Sequence, residues 1–314
     1  MESVKSILIV IPIKDEAANL LPIINEINRV TKSLKYRVTI HFVCDPSKDG
    51  SEIELLRIKT QFKNVEFTLT ADRAGQAEAI RIGYDLSKAD AVITMDADFQ
   101  DPPHLIPEMI RKWEEGFLII HSKRSDRRSD NFVYRNLMGI GYRILSYLTD
   151  RKVLLHVGDF RLVDKDVVAL FRKFGDSHPF WRAISNLDGI PSTTLEYARP
   201  KRREGKTKYS SLVGSPAFAL RGLAAFSIRP LQWLQTLGAV SAVALISVSI
   251  YLTISMLLGL NISNIELLLY FLIIFFLAQF ICISVIATYM IFLVEQVKRR
   301  PNYFIRSDKL GGQN

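Results

Sequence analysis

The chain has 314 residues, 41 Lys and Arg against 32 Asp and Glu, a formal net charge of +9 and a hydrophobic fraction of 48%. Two cysteines, Cys44 and Cys282, exclude a disulfide-stapled scaffold, and the dispersed histidines lack the spacing of a zinc site. The basic excess gathers beside long uncharged stretches, which points to anionic headgroups and a lipid phosphate rather than to nucleic acid.

Ser6–Ile13 is a continuous apolar run of the kind a parallel strand buried on both faces needs. It is too short, and too closely followed by Lys14, Asp15 and Glu16, to be a signal peptide. Leu20, Leu21, Ile24 and Ile27 then recur at helical spacing over Ala17–Val30. The pattern repeats: strand Tyr36–Cys44, helix Ile53–Phe62, strand Val65–Thr70, helix Gln76–Ser87, strand Ala91–Met95, helix Leu105–Glu115 and short strand Leu118–His121. Strands alternating with helices predict an α/β fold with a doubly wound, mostly parallel sheet. Ligands of such sheets bind beyond the carboxyl ends of the strands. Further on, Val133–Tyr147 reads as helix, Val157–Val163 as strand, and Ser210–Ala225 as amphipathic helices lying in a membrane interface.

From Pro230 to Ile265, and again from Leu267 to Val294, no residue is charged. Each stretch exceeds the roughly 20 residues a spanning helix needs. Basic residues flank both stretches, and the loop between them carries none. The positive-inside rule places both termini in the cytoplasm. The expected organisation is a cytoplasmic catalytic domain (1–209), interfacial helices (210–230), a first span (231–258), a short external loop (259–266), a second span (267–294) and a basic cytoplasmic tail (295–314).

The sharpest chemical signal is Asp96-Ala97-Asp98-Phe99-Gln100-Asp101-Pro102-Pro103 at the end of an apolar strand. If the strand continues, Asp96 and Asp98 share a face and Gln100 falls in step. Hard oxygen ligands at a sheet's carboxyl edge suit Mg²⁺ or Mn²⁺ shared with a diphosphate. On the basic side, Arg124, Arg135, Arg202 and Lys208 are candidates to grip a lipid phosphate, Arg by its fork and Lys as a point charge.

The acid-rich octet resembles the signature of the polyprenyl-phosphate glycosyltransferases, the family of dolichol-phosphate mannose synthase and bactoprenol glucosyltransferase. Ile11–Glu16, Cys44–Ser51, Gly75–Gly83, Gly158–Leu162, the Arg199–Tyr209 segment and Lys298–Pro301 with Tyr303 resemble further elements of that family in order along the chain. The resemblance implies a GT-A fold and metal-dependent, inverting transfer from a nucleotide sugar to a polyprenyl phosphate. A UDP-hexose is favoured as donor, with GDP-mannose as the other choice. It implies that Pro12, Asp15, Glu16, Asp45, Gln76 and Asp96 contact the donor and that Asp159, Asp98 and Arg124 form the catalytic set. It also implies a bilayer partner, a bacterial inner-membrane location and a homo-oligomer. Asp159 matches the family's catalytic base. A phosphate monoester has a second pKa of about 6, so the nucleophile needs little proton removal, and Asp159 is read chiefly as an orienting group.

Cys44 stands where the family has an acid, Lys14 where it has a Tyr and Asp15 where it has an Asn. Alternatives from the same sequence are pentose transfer for lipid A modification and, from another class, a non-catalytic membrane scaffold or sugar-nucleotide sensor. A processive polysaccharide synthase is disfavoured by the lack of a Gln-x-x-Arg-Trp motif and by only two spans.

Overall fold

Strand β1 (Ser6–Ile13) is buried over nearly its whole length, as its unbroken apolar run requires. The structure, a computed structural model, describes residues 4–124, 157–173, 181, 189–198, 200, 229–258, 265–297 and 303–306. Beside β1 lie β2 (Arg37–Cys44), β3 (Val65–Leu69), β4 (Ala91–Thr94), β5 (Ile119–Arg124), β6 (Val157–Asp164) and β7 (Ser192–Tyr197). They form one sheet in the order β3-β2-β1-β4-β6-β5-β7. Every pairing is parallel except those of β6, which runs against both β4 and β5. The doubly wound, mostly parallel sheet expected from the sequence is present.

Helices α1 (Ala17–Thr31), α2 (Ser51–Gln61), α3 (Gln76–Leu86) and α4 (Ile106–Glu114) connect the first five strands. Helix α1 buries Leu20, Ile23, Ile24 and Ile27, and α4 buries Ile106, Met109, Ile110 and Trp113. Both sets have the 3–4 residue spacing of one helix face. Helix α3 lies so close to β1 that a Cβ on Gly83 would fall 2.4 Å from Val10 Cγ1; only glycine fits there.

Two elements were not foreseen. Helix α5 (Lys165–Phe171) starts where the Asp164 carboxylate accepts the Asp166 amide as an N-cap. The same carboxylate accepts Trp113 Nε1 at 2.7 Å. Strand β7 is half polar and hides its apolar signal in Leu195 and Tyr197. The octet also differs from expectation: β4 ends at Thr94, so Asp96 and Asp98 stand in the turn beyond the strand and are not paired by a strand face. Phe99 takes φ 63° there, a left-handed backbone that no strand accommodates.

The chain divides into two units: Met1–Met138 with Lys152–Ser210 and Arg299–Asn314, and Gly139–Arg151 with Ser211–Lys298. The second contains α6 (Arg229–Leu257) and α7 (Ile265–Val297). At 1.5 Å per residue they measure about 43 and 50 Å, against a hydrocarbon core of about 30 Å. Their most apolar windows, Leu231–Val248 and Ile274–Ile291, have mean hydropathies of 1.5 and 2.3 and are not buried. Both helices are long and apolar enough to cross a membrane. The helical readings of Val133–Tyr147 and Ser210–Ala225 lie outside the described residues.

Helix α3 also carries a misfit acid. Glu78 is 4% exposed, its carboxylate oxygens accept no hydrogen bond among the described residues, and Arg81 Nε stands 3.2 Å away. Burial pushes its pKa up to about 7 from an ordinary 4.5; Asp85 adds to this and Arg81 opposes it. The folded state therefore holds this proton more tightly than the unfolded chain does. The resulting stability is complete below pH 4.5 and is lost as pH rises through 7. Glu78→Gln, which keeps the shape without the titration, is expected to match wild type at pH 4.5 and to exceed it by about 1–3 kcal/mol at pH 8. Paired thermal melts at the two pH values check this, and equal Tm differences at both would refute it.

Candidate active site

The loops after β1 and β2 are laced together. The Asp15 amide donates to Ser47 Oγ (3.0 Å), and Asp15 Oδ1 accepts the Lys48 amide (2.7 Å). The Glu16 amide donates to Ser51 Oγ, and Asp49 accepts the amides of Ala17 and Ser51. Asp15 itself has φ 50°, a conformation a short acid tolerates better than a bulky residue would. Pro12, paired with Val43 in the sheet, lies just before this loop. Asp49 thus serves as a turn and cap residue.

Asp45 follows β2 and is 5% exposed. Its Oδ1 accepts the Thr70 hydroxyl (2.9 Å) and the Ala74 amide (3.0 Å), and its Oδ2 accepts the Gly75 amide (2.9 Å). The carboxylate organises residues 70–75 as a loop. Next to it, burial pushes the Cys44 thiol up to about 11, so this position carries no charge at neutral pH.

Gln76 opens α3 and its Nε2 donates to Asp96 Oδ1 at 2.8 Å. That bond joins the 70–75 loop to the acid turn. The Asp96 amide donates to Asp101 Oδ2 (3.1 Å), and the Gln100 amide to Asp98 Oδ1 (3.0 Å). Asp101 Oδ1 accepts the Tyr197 hydroxyl (3.0 Å), which accepts Arg124 Nε (3.4 Å). Asp101 and Tyr197 escaped the sequence reading. Asp101 lies inside the octet, but its hold on the Asp96 amide follows no spacing rule; Tyr197 reaches the site only through its register with Arg124 on β5.

The reversed direction of β6 completes the site. Because β6 is antiparallel to β4 and β5, its start lies at the edge where those strands end. Asp159, third in β6, therefore lies at the same edge as Arg124, last in β5. A Cβ on Gly158 would lie 3.3 Å from Arg124 Nη2, so the glycine leaves the space the guanidinium fills. Asp159 Oδ1 pairs with Arg161 Nη2 at 2.9 Å. Arg161 is 1% exposed and also donates to the carbonyls of Trp181 (2.6 Å) and Gly158 (3.0 Å).

The electrostatics are those of crowded acids. Burial, then the charges of Asp101, Asp98 and Asp159, push Asp96 well above the carboxylate range, with Arg124 opposing. Asp101 is raised by burial against the pull of Arg124, the Asp96 amide and Tyr197. Burial works against the Arg124 charge, yet Tyr197, Asp101 and Asp96 outweigh it. The Arg124 charge opposes the upward push on both Asp96 and Asp101. Among the described residues no three acid, imidazole or thiol side chains form a metal cage. Two carboxylates completed by substrate phosphates are the usual setting for Mg²⁺, so Asp96 and Asp98, with Gln100 beside them, fit a shared ion. Arg135, Arg202 and Lys208 lie outside the described residues.

The open α/β sheet thus gathers acids and an arginine at its carboxyl edge, where ligands of such sheets bind. The chain belongs to glycosyltransferase family 2: the model described as "Glycosyl transferase family 2" matches residues 8–171, and the chain is a glycosyltransferase. It is 30% identical to the uncharacterized glycosyltransferase YkcC of Bacillus subtilis over 95% of this chain and 92% of that one. It is also 30% identical to the prophage bactoprenol glucosyl transferase homolog of Escherichia coli K12, over 96% and 98% of the two chains. Among solved structures, it resembles glucosyl-3-phosphoglycerate synthase from Mycobacterium tuberculosis, crystallised with Mn²⁺, UDP and phosphoglyceric acid. That match has a TM-score of 0.49 and 15% identity, and covers 70% of this chain and 76% of that one.

Proposed function

We propose that this enzyme transfers a hexose, with inversion, from a nucleotide sugar to a polyprenyl phosphate at the cytoplasmic face of a membrane, with UDP-glucose the first donor to try. The observation that carries the reading is the meeting of Asp96, Asp98, Arg124 and Asp159 at one sheet edge, in a chain that also holds two long apolar helices. The near full-length likeness to a bactoprenol glucosyl transferase homolog supports the acceptor.

In this reading Pro12, Asp15, Glu16, Asp45 and Gln76 line the donor nucleotide, and Asp96, Asp98 and Gln100 hold Mg²⁺ or Mn²⁺. A divalent ion there supplies charge neutralisation for the departing diphosphate. Arg124, Arg135, Arg202 and Lys208 gather the acceptor phosphate, whose oxygen attacks the anomeric carbon from the face opposite the leaving group. Asp159 orients the nucleophile. Residues 231–258 and 267–294 are the spans, with 210–230 in the interface and both termini cytoplasmic. Positioning and electrostatics supply most of the rate.

The test is transfer from labelled UDP-glucose, UDP-galactose and GDP-mannose to undecaprenyl and dolichyl phosphate, with Mn²⁺, Mg²⁺ or chelator. One labelled, chelator-sensitive lipid product is expected. Transfer undiminished by chelator would remove the metal from the mechanism. A folded, membrane-inserted protein that transfers no sugar would overturn the proposed reaction.

A further inference from the structure

Residues Tyr303–Arg306 follow α7 after five intervening positions, yet they belong by contact to the catalytic unit. Ile305 pairs antiparallel with Thr70; the Phe304 carbonyl accepts the Ala71 amide (2.8 Å), and the Arg306 amide donates to the Leu69 carbonyl (2.9 Å). The segment therefore adds a short rung beyond the end of β3, the sheet's edge strand. Two side chains anchor it. The Tyr303 hydroxyl donates to Asp85 Oδ2 on α3 (2.9 Å), and Arg306 Nη2 reaches Glu52 Oε2 on α2 (2.8 Å).

These contacts are poorly suited to stabilising the fold. Phe304 and Ile305 stay 58% and 42% exposed, so little apolar surface is gained, and the ion pair Arg306–Glu52 is half-buried, where desolvation offsets much of the attraction. They are well suited to fixing geometry. The rung holds Leu69–Ala71, and the Thr70 hydroxyl holds Asp45. Asp45 holds the amides of Ala74 and Gly75, and Gln76 holds Asp96. The two anchors sit on the helices that follow the Asp45 loop and the 70–75 loop.

We propose that Tyr303–Arg306 is a positioning strap for the donor site, setting the 70–75 loop and so the affinity for the nucleotide sugar. The inference rests on the donor-site reading given above. The strap reaches the donor loop through Thr70 and Asp45, so its release changes donor affinity more than the chemical step.

The full-length protein, reconstituted in nanodiscs, is compared with Tyr303→Phe, Arg306→Glu, Glu52→Arg and the double variant Glu52→Arg/Arg306→Glu. KM and kcat are measured for whichever donor of the panel is used, together with Tm and amide exchange at Ala71. Each single variant is expected to speed Ala71 exchange and raise the donor KM by about 3- to 10-fold, with kcat within about 2-fold. The charge-swapped double variant should recover most of the donor KM. Faster exchange at Ala71 with unchanged donor KM would overturn the strap, as would a fall in Tm and kcat at constant KM, the signature of plain structural docking. If wild type transfers no sugar, the function reading fails and the strap is read by UDP and GDP titration instead. Weakened binding in the variants upholds it, equal binding overturns it, and no binding by wild type overturns both readings.

Discussion

Asp98→Asn is expected to lower kcat/KM by about 10³-fold while leaving the fold intact. Asp98 is 6% exposed and accepts the Gln100 amide through Oδ1. The asparagine carbonyl oxygen keeps that bond, so the turn through Phe99 survives and only the negative charge is lost. If the charge helps hold a divalent ion against the diphosphate, its removal forfeits several kcal/mol of transition-state stabilisation. At 1.36 kcal/mol per decade, about 4 kcal/mol is a thousandfold in rate. Initial rates with labelled donor at saturating lipid phosphate measure it, and a melt confirms folding. A folded variant within tenfold of wild type would take Asp98 out of the reacting centre.

Asp159→Asn should strike both stability and rate. Removing one partner of a buried ion pair costs roughly 3–5 kcal/mol. Asp159 is about one-fifth exposed and an asparagine still accepts a hydrogen bond, so about 2 kcal/mol is the expected loss. Arg161, left facing the Gly158 and Trp181 carbonyls, also loses its carboxylate partner. The rate is expected to fall about 10²-fold at every pH from 6.5 to 9, because the acceptor phosphate is already anionic there. A pH–rate profile of the variant decides the matter: recovery toward the wild-type rate at high pH would make Asp159 a general base instead of an orienting group.

The parallel half of the sheet was legible because Ile7–Ile13 is apolar and almost wholly buried, and β2 ends in the buried run Ile40–Cys44 with only His41 polar. The direction of β6 was not, since an apolar run looks the same in either orientation. Yet that direction is what brings Asp159 to the edge where β4 and β5 end. The octet announced its acids but not their geometry: the expected shared strand face gave way to a turn bent at Phe99. Asp101 was passed over because its work is to hold a backbone amide, which no spacing rule reports. Tyr197 sits in a half-polar strand, and its meeting with Arg124 depends on pairing across a long gap in sequence. Asp45 was legible as the residue after strand β2; that its carboxylate binds Thr70, Ala74 and Gly75 was visible only in three dimensions.

Strand order also sets when the site can come into being. β4 and β5 are consecutive strands, but β6 lies between them in the sheet. During synthesis the last residue of β5 precedes the last of β6 by some forty positions. At roughly 5–20 residues per second this is a delay of about 2–8 s, during which β4 and β5 have open edges. Unpaired strand edges invite association with other chains, so newly made chains are most vulnerable in this interval. The strand that closes the gap between β4 and β5 is the one that carries Asp159, so Asp159 joins Asp98 and Arg124 only when that gap closes; β5 still keeps its other edge open until β7 is made.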